Sequence, residues 1–141
     1  MDLKIKKLHP DAIIPKYAKC GDAGMDLYSI EDCNLEPGVV CSIKTGIATE
    51  FPLGYVALIW DKSGLATRHH LKTVAGVVDS GYRGEYLVSM INLGKNDYKI
   101  EKGDKIAQLI IQKIESPVIK IVKELSDSER GDNGFGSTGK K

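Results

Sequence analysis

Short apolar runs, each closed by a glycine or proline turn, recur along this chain and leave no stretch with helical periodicity. Leu35-Glu36-Pro37-Gly38, Pro52-Leu53-Gly54 and Gly94-Lys95-Asn96-Asp97 mark the turns; Gly tolerates positive φ and Pro presets its own, so these positions end strands. Residues 3–8 alternate apolar and charged side chains like a half-buried strand, and residues 39–43, 45–51, 55–60 and 106–111 read as further strands. Residues 117–122 form a last apolar strand, placed to be exchanged with a neighbouring chain. The expected fold is all-β, a jelly-roll-like barrel or sandwich with one short helix. That helix begins at Ser63-Gly64-Leu65-Ala66, with Ser63 as the expected N-cap, and its start would offer Lys62-Ser63-Gly64 as a small anion cradle.

With 141 residues, 42% of them hydrophobic, the chain is one domain that can bury a core without staples. Twenty basic residues offset 19 acidic ones to a net +1, which gives no global reason for a nucleic-acid or membrane partner; an anion site must be local. Cys20, Cys33 and Cys41 have no metal-ligand spacing. Reduced thiols are the plain reading, and a redox pair or a metal site the alternative. The N-terminus lacks the apolar core of a signal peptide, and no stretch approaches a membrane span, so the expected location is cytoplasmic.

The chemistry-bearing residues cluster. Residues 73–78 run into Asp79-Ser80-Gly81-Tyr82-Arg83-Gly84 and residues 86–91 run out, which reads as a β-hairpin. Turn chemistry accounts for Asp, Ser and Gly at such a tip, and a solvated turn is the bland alternative. It does not require a carboxylate, an aromatic and an arginine together; Asp79 has the chemistry of a general base and Tyr82 that of a platform for a ring. Asp26 follows Gly24 at the head of another apolar run. Gln108 stands among apolar neighbours and either bonds a ligand or satisfies backbone groups. His69 and His70 are adjacent and diverge, so they are no metal pair.

From Ser126 onward the composition turns to glycine and small polar residues around one aromatic, Phe135, as in a mobile arm. Arg130-Gly131-Asp132 matches an adhesion tripeptide by chance. Gly134-Phe135-Gly136-Ser137-Thr138-Gly139-Lys140 looks like a phosphate loop, but Lys141 replaces the required hydroxyl residue. What remains is a run of unhindered N–H groups able to wrap phosphate oxygens.

Five clusters in order, Ala23-Gly24-Met25-Asp26-Leu27-Tyr28-Ser29, Lys62-Ser63-Gly64-Leu65-Ala66, residues 76–84, Lys102-Gly103-Asp104-Lys105-Ile106-Ala107-Gln108-Leu109 and residues 130–139, resemble the five ordered motifs of the trimeric dUTP pyrophosphatase (dUTPase) family. The resemblance spans nearly the whole chain. It implies a dUTPase-like β-clip domain over residues 1–125, and an arm over 126–141 that completes an active site. It also implies a homotrimer with shared sites, and Mg²⁺-dependent hydrolysis of dUTP to dUMP and pyrophosphate. That reaction would limit uracil incorporation into DNA and supply dUMP for dTMP synthesis.

Residue by residue, Asp79 matches the catalytic carboxylate that activates water, and Tyr82 the aromatic that packs on deoxyribose and leaves no room for a 2′-hydroxyl. The backbone of Val74, Gly76 and Val78 matches the segment that reads uracil, and Asp26 the residue that holds Mg²⁺ through water. Lys62, Ser63, Gly64 and Gln108 match phosphate contacts. In the arm, Arg130 matches the γ-phosphate arginine, Phe135 the ring that covers uracil, and Gly136, Ser137 and Thr138 the γ-phosphate clamp.

The chemistry is coherent: a triphosphate must have its charge spread over cations and backbone donors before water approaches, and a strand-like backbone can accept uracil's edge while rejecting cytosine's amino group. One departure stands out. Asp61-Lys62 replaces the family's usual Pro-Arg, which keeps the charge, loses the bidentate fork and adds a carboxylate. Two rival readings compete with this one. A dCTP deaminase relative needs a carboxylate on the strand leaving the hairpin, where this chain has Ser89 and no acid from Tyr86 to Asn96. A non-catalytic nucleotide-binding jelly roll has no use for Asp79 together with the arm.

Overall fold

The computed structural model describes residues 1–133, and its strands end where the turn residues fall. In chain order they are β1 (Lys4–Lys7), β2 (Met25–Tyr28), β3 (Cys33–Leu35), β4 (Val40–Lys44), β5 (Ile47–Glu50), β6 (Tyr55–Trp60), helix α1 (Ser63–His69), β7 (Leu71–Thr73), β8 (Val77–Asp79), β9 (Leu87–Asn92), β10 (Tyr98–Ile100) and β11 (Lys105–Lys113). The expected all-β fold with one short helix is what the chain adopts. No described helix is long and apolar enough to cross a membrane.

The strands form an open sandwich of a four-stranded sheet, β2-β11-β6-β8, a three-stranded sheet, β4-β9-β7, and two ribbons, β1-β5 and β10-β3. Strand β11 is the hub. It pairs antiparallel with β2 through Lys105 to Leu109, with a register irregularity after Lys105, and with β6 through Gln108 to Lys113. Its inward residues Ile106, Ala107 and Leu109 meet Leu27, Ile43 and Ala57 in the core. Burying each isoleucine or leucine of this set contributes about 1.5–3 kcal/mol.

Three expectations need correction. The 73–91 segment is not a paired hairpin: β7 pairs with β9, whereas β8 pairs with β6 in the other sheet. The cause is a double break, with Ala75 at φ 66° and Gly76 at φ 119°. A Cβ on Gly76 would lie 2.6 Å from the Ile59 carbonyl oxygen, so this crossing needs glycine. Val74 N–H still donates to Ser89 O (2.9 Å), but two residues later the Gly76 carbonyl accepts from Ile59 N–H (2.8 Å). Second, Ser63 is the first helical residue; Lys62 occupies the N-cap position, without a side-chain bond. Third, residues 117–122 are not a strand within this chain. Beyond β11, residues 114–133 contribute neither strand nor helix, and Val118, Ile119 and Ile121 are 84%, 90% and 98% exposed.

Candidate active site

Register across the four-stranded sheet places the site residues. Gln108 lies opposite Asp26 on β2 and opposite Trp60 on β6, and directly opposed residues share a face. One row therefore carries Asp26, Gln108 and the end of β6, from which Asp61 and Lys62 follow. The Gln108 amide donates to Asp61 O (2.9 Å). A Cβ on Gly24 would sit 2.6 Å from the Gln108 side-chain oxygen, which accounts for the glycine preceding this strand.

Asp26 is 6% exposed, and both of its oxygens are occupied. Lys62 Nζ donates to Oδ1, and Lys105 Nζ lies 2.7 Å from Oδ2. Burial pushes the Asp26 carboxyl up, but the bonds from Lys105 and Lys62 outweigh it and hold the group below the usual carboxylate range. The bond to Asp26 raises Lys105 in turn. Two ammonium groups against one carboxylate leave a net positive charge beside Ser63 and Gly64, suited to an anion. Among the described residues no group of three or more His, Cys, Asp or Glu converges as a metal site. Both Asp26 oxygens face lysines in this arrangement, so any contact to a metal there would run through water rather than be direct.

Asp61 does not burden that cluster. Its Oδ1 accepts from Thr73 N–H and Thr73 Oγ1–H, both at 2.6 Å, and Lys72 Nζ lies 2.9 Å from Oδ2. Burial raises the Asp61 carboxyl, and the bonds from Thr73 and then Lys72 more than offset this, so it too titrates below its ordinary range. The carboxylate that departs from the family pattern thus fastens the end of β6 to β7. The lysine beside it turns the other way, to Asp26.

Asp79 lies elsewhere. It is the last residue of β8, opposite Val56 near the start of β6, four residues and therefore about 13 Å along the strand from Trp60. Among the described residues no ion pair engages its carboxylate. Because β8 and β9 diverge into different sheets, a cavity of about 260 Å³ opens between them, with Ile59, Gly76, Val78, Asp79, Tyr82 and Tyr86 among its lining. As an edge strand, β8 leaves a row of backbone N–H and C=O groups without strand partners.

Tyr86 is the floor of this cavity. Its backbone N–H donates to Ile47 O (2.9 Å), its carbonyl accepts from Thr45 Oγ1 (2.6 Å), and its hydroxyl lies 2.6 Å from Thr49 Oγ1; burial pushes the phenol up. The ring of Tyr82, 46% exposed, packs 6.3 Å from that of Tyr86, and its hydroxyl donates to Glu85 O (3.1 Å). Arg83 Nη1 donates to Ser80 O (2.7 Å) and Tyr82 O (2.9 Å), which sets the loop rather than the cavity.

One chain therefore unites Asp26, Lys62, Ser63, Gly64 and Gln108 at one end of β6 and places Asp79 at the other, with Tyr82 following it, while Gly76 beside Ile59 and Val78 beside Ala57 line β6 between them. Val74 bonds to β9 just before the crossing. Arg130 joins neither group: its Nε donates to Asn133 O (3.1 Å) within its own turn. Phe135, Gly136, Ser137 and Thr138 lie outside the described residues. Sequence reading missed Lys105 as the second partner of Asp26, and Tyr86 as the cavity floor. Lys105 stood in a quoted motif, but only the β2-β11 register aims it at Asp26.

The comparisons with known proteins agree in kind. A family model described as dUTPase matches residues 10–139. The deoxyuridine 5′-triphosphate nucleotidohydrolase of Clostridioides difficile is 54% identical, with 98% of each chain covered. That of Thermobifida fusca is 49% identical over 97% of this chain and 78% of its own. Among solved structures, a mutant dUTPase of Staphylococcus bacteriophage 80alpha with dUpNHpp superposes at TM-score 0.93, with 34% identity and 98% of each chain covered. A mutant phage phi11 enzyme, described for its coordination of a structural Mg(II) ion, does so at 0.84, with 30% identity over 90% of this chain and all of that one.

Proposed function

This chain belongs to the dUTPase family and is a dUTP diphosphatase, and on that premise we propose that Asp79 activates the water that cleaves dUTP, in a site assembled from different subunits of a homotrimer. The observation that carries the reading is the division along β6: at one end a carboxylate with no ion pair among the described residues, on the rim of a nucleoside-sized cavity, and a net-positive cluster at the other. A triphosphate joined to a nucleoside needs both, and about 13 Å of strand separates Asp79 from the cluster end of β6 within one chain. A neighbouring copy brings the complementary half. The exposed apolar side chains of residues 118–122 support the same assembly, since an apolar run left in water gains most by packing on another subunit. Residues 1–125 then form the β domain, and residues 126–141 form an arm that reaches a neighbour's site.

In the cavity, the open edge of β8 reads the uracil edge through the backbone of residues 74–82, and Tyr82 packs on deoxyribose where a 2′-hydroxyl would collide. Asp79 accepts a proton from a water as its oxygen attacks the α-phosphorus; the bond to the bridging oxygen breaks and pyrophosphate leaves. Lys62, Ser63, Gly64 and Gln108 bind phosphate oxygens. Arg130 with Gly136, Ser137 and Thr138 takes the γ-phosphate, and Phe135 covers uracil, excluding bulk water. Mg²⁺, which Asp26 would hold through water, would supply further charge neutralisation when bound. Hydrolysis in this way removes dUTP, limits uracil incorporation into DNA and yields dUMP for dTMP synthesis.

The deaminase alternative finds no support at its key position, because Ser89 Oγ is engaged with Ser42 Oγ (2.8 Å). The test is pyrophosphate release from dUTP, UTP, dTTP and dCTP, with and without Mg²⁺. Release from dUTP alone is expected; release from UTP at a comparable rate would overturn the role given to Tyr82, and ammonia from dCTP would overturn the reaction.

A further inference from the structure

Cys33 and Cys41 lie far apart in hydrogen-bonding terms yet close in space. Cys33 opens β3, where it pairs with Ile100 of β10, and Cys41 sits in β4, where it pairs with Met90 of β9. The two strands belong to different sheets and are not paired to each other. The chain reverses between them through a turn in which Val39 N–H donates to Glu36 O (3.2 Å) and Gly38 takes φ 77°. Pro37 bridges to Asn92, whose side chain donates to Leu35 O (2.8 Å). Held from both sides, the two sulfurs stand 2.8 Å apart as free thiols, each half-buried; a disulfide requires about 2.05 Å. The third cysteine, Cys20, is exposed and has no such neighbour.

We propose that Cys33 and Cys41 are a reversible redox site, closing to a disulfide that fastens the β10-β3 ribbon to the β4-β9-β7 sheet when a low-molecular-weight disulfide accumulates. Burial, with the neighbouring Cys41 sulfur, pushes the Cys33 thiol up to about 12, so Cys41 leads. Its thiolate attacks one sulfur of the reagent, forming a mixed disulfide and releasing one thiolate. Cys33 then gives its proton to solvent and attacks the Cys41 sulfur, and the second reagent thiolate leaves. Two electrons pass from the protein to the reagent, which ends as two thiols. Where the thiol pool is reduced, the pair stays open. Neither cysteine lines the cavity or touches the Asp26 cluster, so this site is independent of the catalytic reading.

The test uses the full chain under native conditions, incubated with oxidised glutathione and digested without reduction for mass spectrometry. The expected result is a peptide joining Cys33 to Cys41, an intact mass lower by two hydrogens apart from any adduct on Cys20, and reversal by dithiothreitol. In Cys41→Ser the cross-link vanishes while Cys20 still takes up glutathione. Stable glutathione adducts on both Cys33 and Cys41, or modification of Cys20 alone at a dose that fully converts it, would overturn the proposal.

Discussion

The two ends of β6 hold carboxylates in opposite conditions. Asp26 is buried and both its oxygens are held by lysines; Asp79 ends an edge strand at the rim of a cavity, with no ion pair among the described residues. A carboxylate fully occupied by cations has little capacity left to take a proton. Its service is to place Lys62 and Lys105, and to keep two ammonium groups close together until a stronger anion arrives. One that lacks such partners is available to a water. On the proposed reading, the same residue type serves positioning at one end of the strand and chemistry at the other, and the difference comes from register.

If that contrast holds, substitutions at the two ends separate by size and by kinetic constant. Asp79→Asn should lower kcat by roughly 10²–10⁴-fold while nucleotide binding, read by titration with dUpNHpp, is retained; undiminished kcat removes the general base from the account. Lys62→Ala should act on binding, raising KM for dUTP about 10-fold or more, as expected for a lost bond to a charged group. An effect confined to kcat would show instead that Lys62 acts only in the transition state. Asp61→Asn should lower stability by about 1–3 kcal/mol through its bonds to Thr73 and leave kcat nearly unchanged, as measured by denaturant unfolding beside turnover.

The smallest effect is in pH. Asp61 titrates lower in the folded chain than its ordinary value of 3.8, so its stabilisation is complete above that value and is lost as pH falls through the lower folded one. Unfolding midpoints measured on the acid side should therefore fall less steeply with pH in Asp61→Asn than in the parent chain; equal slopes would mean that the bonds to Thr73 do not favour the ionised form.

Much of this was legible in the sequence, and what was not has a physical cause. The strand over residues 55–60 could be read directly, because Gly54 and Asp61 bound an uninterrupted apolar run. The hairpin could not, since the switch of β8 to β6 depends on positive φ at Ala75, a residue that gives no such signal. Three-residue β3 and β10 are too short to show alternation and exist through pairing with each other. The apolar run at residues 117–122 reads as a strand but forms none here, because among the described residues no strand pairs with it. At the site, the residue types of Asp26, Gln108 and Asp79 were visible, whereas Lys105 meeting Asp26, and Asp61 turning toward Thr73, follow from long-range pairing that spacing does not encode.

If the two ends of β6 serve different active sites, mixed trimers reveal it. Asp79→Asn and Lys62→Ala chains, unfolded together and refolded at equal ratio, would leave roughly a quarter of sites with both halves intact if cluster and cavity come from different subunits. Measured at dUTP well below the KM of Lys62→Ala, turnover in the mixture should rise clearly above that of either variant refolded alone. Turnover no greater than the average of the two parents, in trimers shown to be mixed, would place both halves of each site in one chain and contradict it.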